Sequence, residues 1–237
     1  MTTTSNPADD VVDLLRQLRL PHMRAAAPDL LATAKAQRWD PAEAIRALLA
    51  EELTRRQASS VRSRRKAAGF PTGKTFDGWD ETISSIAEPT QRALRTLEWI
   101  DRHENIVVCG PSGTGKSHFL EALGHAAIDQ GAHVSWFSLE QLGVLIGRHR
   151  VDDSTSRAIR KILRADVIVI DDIGLLPVSA ETAEALYRVV DAAYEKRSIA
   201  LSSNLHSARL RRTHAQDHRQ RDRRPVPTPR PRRAHRR

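Results

Sequence analysis

The run Gly110-Pro111-Ser112-Gly113-Thr114-Gly115-Lys116-Ser117 constrains this chain more than any other feature. It matches the phosphate-binding loop pattern in full, with glycines at its first and sixth positions followed by a lysine and a hydroxyl residue. The flanks fit as well. The apolar run Ile106 to Cys109 predicts a buried strand entering the loop, and Lys116 to Asp129 predicts a helix leaving it, stopped by Gly131. In that context consecutive backbone N–H groups can curl around an anion above the positive end of the helix. Glycine is needed because a Cβ would obstruct the turn or the approach of a phosphate. Lys116 is then placed to reach β and γ phosphates, and the Ser117 hydroxyl to hold Mg²⁺. Thr72-Gly73-Lys74-Thr75 carries a similar ending, but Ala68 stands where the first glycine belongs and no strand precedes it. It reads as linker.

Beyond the loop, short apolar runs continue to alternate with amphipathic helices. Strands are expected at Val134 to Phe137, Val167 to Ile170 and Ser198 to Ser203, with helices at Leu139 to Arg148, Ser154 to Leu163 and Ala180 to Lys196. Fully apolar strands in such an alternation imply a parallel sheet covered on both faces. Ligands of open parallel sheets sit at the carboxyl ends of the strands. That places Asp171 and Asp172, which end the third strand, near the phosphate loop. Asp171 is the candidate Mg²⁺ ligand and Asp172 the candidate to polarise an attacking water. An acidic pair after a strand is otherwise a helix cap or a turn. Asn204, ending the fourth strand, is a neutral polar group able to orient water or meet a γ phosphate, or equally a turn residue.

The first 68 residues read as helices. Asn6 is a candidate N-cap, and Val11, Leu14, Leu15 and Leu18 form an apolar stripe ended by Leu20-Pro21. A second helix is expected over His22 to Lys35. Asp40-Pro41-Ala42-Glu43 starts a third, whose buried face is expected to be Ile45, Leu48, Leu49 and Leu53. It runs into Arg55, Arg56, Arg62, Arg64, Arg65 and Lys66, six cations with no acid among them. Such a row either follows DNA phosphates or is a solvated helix end. Gly69 to Asp80 reads as a linker, and one helix is expected from Glu88 to Asp101.

Charge and composition exclude several classes. The chain of 237 residues carries a formal charge of +9, yet residues 207–237 hold 12 arginines against two aspartates, leaving the rest near neutral. No apolar run approaches the roughly 20 residues of a membrane span. The polar start lacks the pattern of a secretory signal. Cys109 is the one cysteine, so no internal disulfide or cysteine-based zinc cluster can form, and a cytoplasmic setting is expected. Aromatic residues make up 4%, too few for single-strand stacking platforms.

With these residues in view, the chain resembles the IstB-like helper ATPases of bacterial insertion sequences, relatives of DnaC-type helicase loaders in the AAA+ group. The resemblance covers about residues 10 to 206. Gly110 to Ser117 stands as Walker A and Val167 to Asp172 as Walker B, with Ser202-Ser203-Asn204-Leu205-His206 at the sensor-1 position. The most telling features of the resemblance are the Asp171-Asp172-Ile173-Gly174-Leu175 run and the Ser203-Asn204-Leu205-His206 end of the fourth strand. It implies an α/β P-loop NTPase of the AAA+ (ASCE) type, with a parallel sheet flanked by helices and a small all-α domain in front. The implied organisation is a helical DNA- or partner-binding module at 1–68, a linker at 69–87, an ATPase core at 88–206 and a disordered Arg/Pro-rich tail at 207–237. The implied roles are nucleotide binding by Gly110, Pro111, Ser112, Gly113, Thr114, Gly115, Lys116 and Ser117. Mg²⁺ falls to Ser117 and Asp171, and catalysis to Lys116, Asp172 and Asn204. ATP, Mg²⁺, double-stranded DNA, a separate transposase and an ATP-dependent homo-oligomer follow as expected partners. A helicase loader and a remnant with little ATPase activity are the alternatives. A small-molecule kinase would need an acceptor pocket and a lid for which the sequence shows no pattern.

Proteins of that kind continue with a fifth strand, ordered 5-1-4-3-2, and helices that supply an arginine to the neighbouring subunit's nucleotide. Here the pattern breaks at Ser207. The 31 residues that follow have five hydrophobic side chains, four prolines and three histidines, as expected of GC-rich DNA translated out of frame. The alternative is a genuine basic arm that binds nucleic acid. The coding DNA decides between them: an alternative frame downstream of codon 206 is expected to encode an apolar-patterned continuation, and its absence from both frames refutes the frameshift.

Overall fold

Successive side chains of the apolar run at 167–170 go to different cores. Val167 and Val169 join one hydrophobic cluster, Ile168 and Ile170 another, because neighbouring residues of a strand point to opposite faces. The computed structural model describes residues 7–148, 154–174 and 178–204. Their elements are α1 (Pro7–Gln17), α2 (Pro21–Gln37), α3 (Pro41–Ala68), a 3-10 turn (Phe76–Gly78), α4 (Glu88–Arg95) and α5 (Glu98–Asp101). There follow β1 (Ile106–Cys109), α6 (Lys116–Asp129), β2 (Val134–Ser138), α7 (Leu139–Arg148), α8 (Thr155–Ile162), β3 (Val167–Ile173), α9 (Ala180–Ala193) and β4 (Ser198–Ser203). The strands form one parallel sheet in the order β1-β4-β3-β2. Among the described residues this is the expected order 5-1-4-3-2 less its first member.

Helix α6 covers one face of the sheet with Phe119, Leu120, Leu123 and Ile128. Helices α7, α8 and α9 cover the other through Leu142, Ile146, Ile162 and Val189. Strands β1 and β4 and helices α6 and α7 span the residues that the pattern predicts. Strand β1 is not the buried strand expected, because it pairs only with β4 among the described residues and Val107 is 51% exposed. The helix expected over 88–101 is broken. Leu97 takes a left-handed conformation (φ 64°) with its side chain buried, and the Leu94 carbonyl accepts from both the Leu97 N–H at 3.2 Å and the Trp99 indole N–H at 3.1 Å.

The N-terminal bundle corrects two expected faces. Of the α1 stripe only Leu15 is buried, while Leu14 and Leu18 are exposed. On α3, Leu48 is buried but Ile45, Leu49 and Leu53 are 57%, 53% and 58% exposed. The reason is Glu52. Its buried carboxylate accepts from the His22 and Met23 N–H groups at 2.8 and 2.9 Å, closing the start of α2, which has no side-chain cap of its own. Burial acts to raise the Glu52 pKa, but those N–H groups and Arg56 outweigh it and hold the carboxyl below its ordinary range. Pairing with α2 through Leu48 and Glu52 turns the apolar stripe outward. At the start of α3, Asp40 accepts from Ala42 N–H at 2.8 Å as the cap predicts. The proposed Asn6 cap lies outside the described residues.

Residues 69–87 are packed rather than a free linker. Phe70, Phe76, Trp79 and Ile86 join the α6 core, as do Val61 and Ala68 from the far end of α3. The rejected Thr72-Gly73-Lys74-Thr75 run does bind an anion, but an internal one. Glu121 of α6 accepts from the Thr72 N–H at 3.1 Å and the Thr72 hydroxyl at 2.6 Å, and from the Gly73 N–H.

Two glycines of α7 test this packing. A Cβ on Gly143 would collide with the Thr182 side chain of α9, whereas a Cβ on Gly147 meets nothing within 4 Å. Gly143→Ala is expected to destabilise by about 1–3 kcal/mol through overpacking. Gly147→Ala should instead stabilise by a few tenths to about 1 kcal/mol through helix propensity. Urea unfolding of the two variants checks the opposite signs.

Candidate functional site

The parallel register brings the ends of β1, β3 and β4 together. Gly110 N–H donates to Ser203 O at 3.1 Å, and Asn204 N–H to Ile173 O at 3.0 Å, so the loop and both strand ends share one rim. Residues 111–114 of the loop are exposed, while Lys116 and Asp171 beneath it are buried. Gly113 and Gly115 have φ of 82° and 86°, the left-handed region that aims backbone N–H groups into a cradle. A Cβ on Gly115 would stand 3.0 Å from the Trp79 ring. The Thr114 hydroxyl donates to Pro111 O at 2.9 Å and steadies the turn.

Four of the five predicted side chains, Lys116, Ser117, Asp171 and Asn204, meet here, and Asp172 stands at the rim. Lys116 Nζ donates to Pro111 O at 2.8 Å and to Asn204 Oδ1 at 2.9 Å, which joins the loop to the end of β4. Ser117 Oγ donates to Asp171 Oδ1 at 3.0 Å. Asp171 also accepts from the Ser202 hydroxyl, whose oxygen in turn accepts from Asp172 N–H at 3.0 Å. The register between β3 and β4 slips between Ile170 and Ile173, so the acidic pair is a bulge. Asp172 there has φ 64°, which re-aims its carboxylate to the surface while Asp171 stays inside. Partial burial pushes the Asp172 pKa above its ordinary 3.8, with Asp171 adding to the rise and Lys116 opposing it.

The donors fit a hard cation that draws most of its ligands from elsewhere. One hydroxyl and one carboxylate oxygen converge at Ser117 and Asp171. No cluster of three or more His, Cys, Asp or Glu able to hold a metal occurs among the described residues. Mg²⁺ in nucleotide sites takes one or two protein ligands with phosphate and water, and this pair suits it.

Sequence reasoning missed four residues around the site. Ser202 lay inside the strand end already singled out, and a serine in an apolar strand was the available signal. Trp79 packs against the loop and, edge-on, against His118 at 5.1 Å between ring centroids. Its indole N–H donates to Gln91 Oε1 at 2.7 Å, and the fully buried Gln91 donates to Glu81 O and Ile86 O at 3.0 and 2.6 Å. Glu121 holds the strap of residues 70–80 that carries Trp79. The Glu121 and Trp79–His118 contacts join segments far apart in the chain, the Gln91 bonds join nearer ones, and none leaves a local pattern.

The cation row of α3 divides. Arg55 pairs with Glu51, Arg56 with Glu52 at 2.9 Å, and Arg65 with Asp129 of α6 at 2.7 Å. Arg62, Arg64 and Lys66 form no ion pair among the described residues, and Arg62 and Lys66 are exposed one turn apart. No helix among the described residues is long and apolar enough to cross a membrane.

The chain is similar to known proteins in sequence and in fold. An insertion sequence IS21 ATP-binding protein of Pseudomonas aeruginosa is 32% identical over 192 residues, 81% of this chain and 72% of that protein. A crystal structure of the DnaC helicase loader superimposes with a TM-score of 0.51 at 18% identity, over 62% of this chain and 87% of the other. AMPPCP-bound DnaA from Aquifex aeolicus gives 0.50 at 20% identity over 60% and 45% of the two chains. At those identities the two structures establish the AAA+ fold alone. The family described as IstB-like ATP binding protein matches residues 13–220, nearly all of the bundle, the strap and the sheet. The chain is a member of the IstB-like ATP-binding family.

Proposed function

We propose that the chain is an ATP-binding helper protein of an insertion sequence, which couples ATP binding and hydrolysis to DNA binding and to target selection by a separate transposase. The observation that carries this reading is the convergence of Lys116, Ser117, Asp171 and Asn204 beside an exposed nest of loop N–H groups. In this reading the nest holds the phosphates and the Lys116 ammonium turns from Pro111 O and Asn204 to the β and γ oxygens. Release of Lys116 leaves the Asn204 amide free to orient water. Asp172 takes the proton of that water, a task for which a raised pKa suits it. A magnesium ion held by Ser117 and Asp171 supplies charge neutralisation on the phosphates.

DNA is assigned to the unpaired part of the α3 row, Arg62, Arg64 and Lys66, with Arg55 and Arg56 less available and Arg65 engaged with Asp129. A second reading, a nucleotide- and DNA-binding protein with little turnover, is favoured by β1, whose outer edge is bare among the described residues. Phosphate release with and without double-stranded DNA separates the two. DNA-stimulated turnover supports the first, and binding without turnover supports the second.

Three outcomes are expected. Lys116→Ala removes nucleotide binding, measured by titration calorimetry, and unchanged ATP affinity in that variant refutes the site. Hydrolysis falls as pH is lowered through a value above 3.8, where protonated Asp172 can no longer accept, and Asp172→Asn loses turnover while keeping ATP affinity. Arg62→Ala with Lys66→Ala weakens DNA binding and flattens its salt dependence by about two phosphate contacts, whereas Arg65→Ala chiefly costs stability.

A further inference from the structure

Half of β4 is serine, and all three hydroxyls are buried. A buried hydroxyl is costly without a partner. Two of them bond main-chain carbonyls and so join neighbouring segments: Ser198 Oγ donates to Trp99 O at 3.2 Å, and Ser203 Oγ to Ile173 O at 3.1 Å. Ser202 meets the acidic pair instead. Its Oγ donates to Asp171 Oδ1 and accepts from Asp172 N–H at 3.0 Å. The bulge creates this need, because the register slip leaves Asp171 and Asp172 without register partners on β4, and the Asp172 N–H turns to a side chain. A hydroxyl answers both residues at once, having one proton to give and lone pairs to receive.

We propose that Ser202 is a positioning residue for the divalent cation of the nucleotide site, holding Asp171 inward with one oxygen open to that cation or its water. The proposal rests on the nucleotide reading above. Ser117 and Ser202 together fill Asp171 Oδ1, and Oδ2 forms no hydrogen bond among the described residues. The bond to the Asp172 N–H fixes the other half of the bulge, in which Asp171 is buried and Asp172 exposed. Mg²⁺ keeps much of its water, so the protein has to supply an oxygen fixed in direction rather than a cage. Groups that orient a metal ligand are worth about 10–100-fold in metal affinity. Two residues beyond Ser202, Asn204 bonds Lys116, so one strand end supports both the cation's ligand and the phosphate-binding lysine.

The test measures the affinity of the full chain for AMPPCP by titration calorimetry, once with excess Mg²⁺ and once with EDTA. The ratio of the two dissociation constants reads the contribution of the cation without any turnover. Wild type is expected to bind more tightly with Mg²⁺. Ser202→Ala should weaken the Mg²⁺ value about tenfold and keep the EDTA value within about twofold. Ser198→Ala removes an equally buried hydroxyl from the other end of β4 and should change neither. Hydrogen exchange of the nucleotide-free chain gives a second measurement: in Ser202→Ala the Asp172 amide exchanges faster, while β1 and α6 stay as protected as in wild type. A Mg²⁺ gain retained by Ser202→Ala, an equal loss in Ser198→Ala, a parallel loss in EDTA, or lost protection throughout the sheet overturns the proposal. Wild type that binds equally well in EDTA overturns this proposal alone, whereas wild type that binds no AMPPCP overturns the nucleotide reading and this proposal with it.

Discussion

The buried carboxylate of Asp171 is the interaction on which the site depends. A charge in that position is costly unless its oxygens are satisfied. Here the Ser117 hydroxyl from α6 and the Ser202 hydroxyl from β4 both donate to one of them. One side chain of β3 thereby locks the start of the phosphate-loop helix and the neighbouring strand into a single register. Lys116 closes the arrangement from the other side by bonding Asn204 and the loop carbonyl. Side chains from α6, β3 and the end of β4 are thus held together at one rim by hydrogen bonds to one another and to the loop.

Carboxylates do comparable work elsewhere in the chain. Glu52 satisfies the open start of α2, and Glu121 satisfies the backbone N–H groups at Thr72 and Gly73. In each case an acid answers backbone donors that would otherwise be unpaired, the chemistry that the phosphate loop offers to a nucleotide. The first sets the rotation of α3 in the bundle. The second fixes the strap across α6 and so places Trp79 against the loop. Helix α3, about 42 Å long at 1.5 Å per residue, has its first half in the bundle and its last turns in the α6 core of the sheet.

The sheet was legible because its strands are apolar throughout and the loop between β1 and α6 permits one local geometry. The site was legible for the same reason: each of Lys116, Ser117, Asp171 and Asn204 lies within two residues of the end of an element whose type the pattern revealed. Faces in the N-terminal bundle were not. Ile45, Leu49 and Leu53 have the spacing of a core stripe, and nothing local distinguishes them from Leu48. The break at Leu97 was equally hidden, since a leucine with positive φ contradicts its own propensity and persists only because burial and the Trp99 indole support it.

By itself the sequence determined the elements, the phosphate loop and the order in which the acidic pair and Asn204 follow it, because these depend on neighbours within a few residues. Tertiary structure alone decided which faces are covered, which arginines remain free for another partner and which side chains support the loop. Those outcomes rest on contacts such as Glu52 to His22, Arg65 to Asp129 and Glu121 to Thr72. Their geometry exists only once segments distant in the chain have packed together.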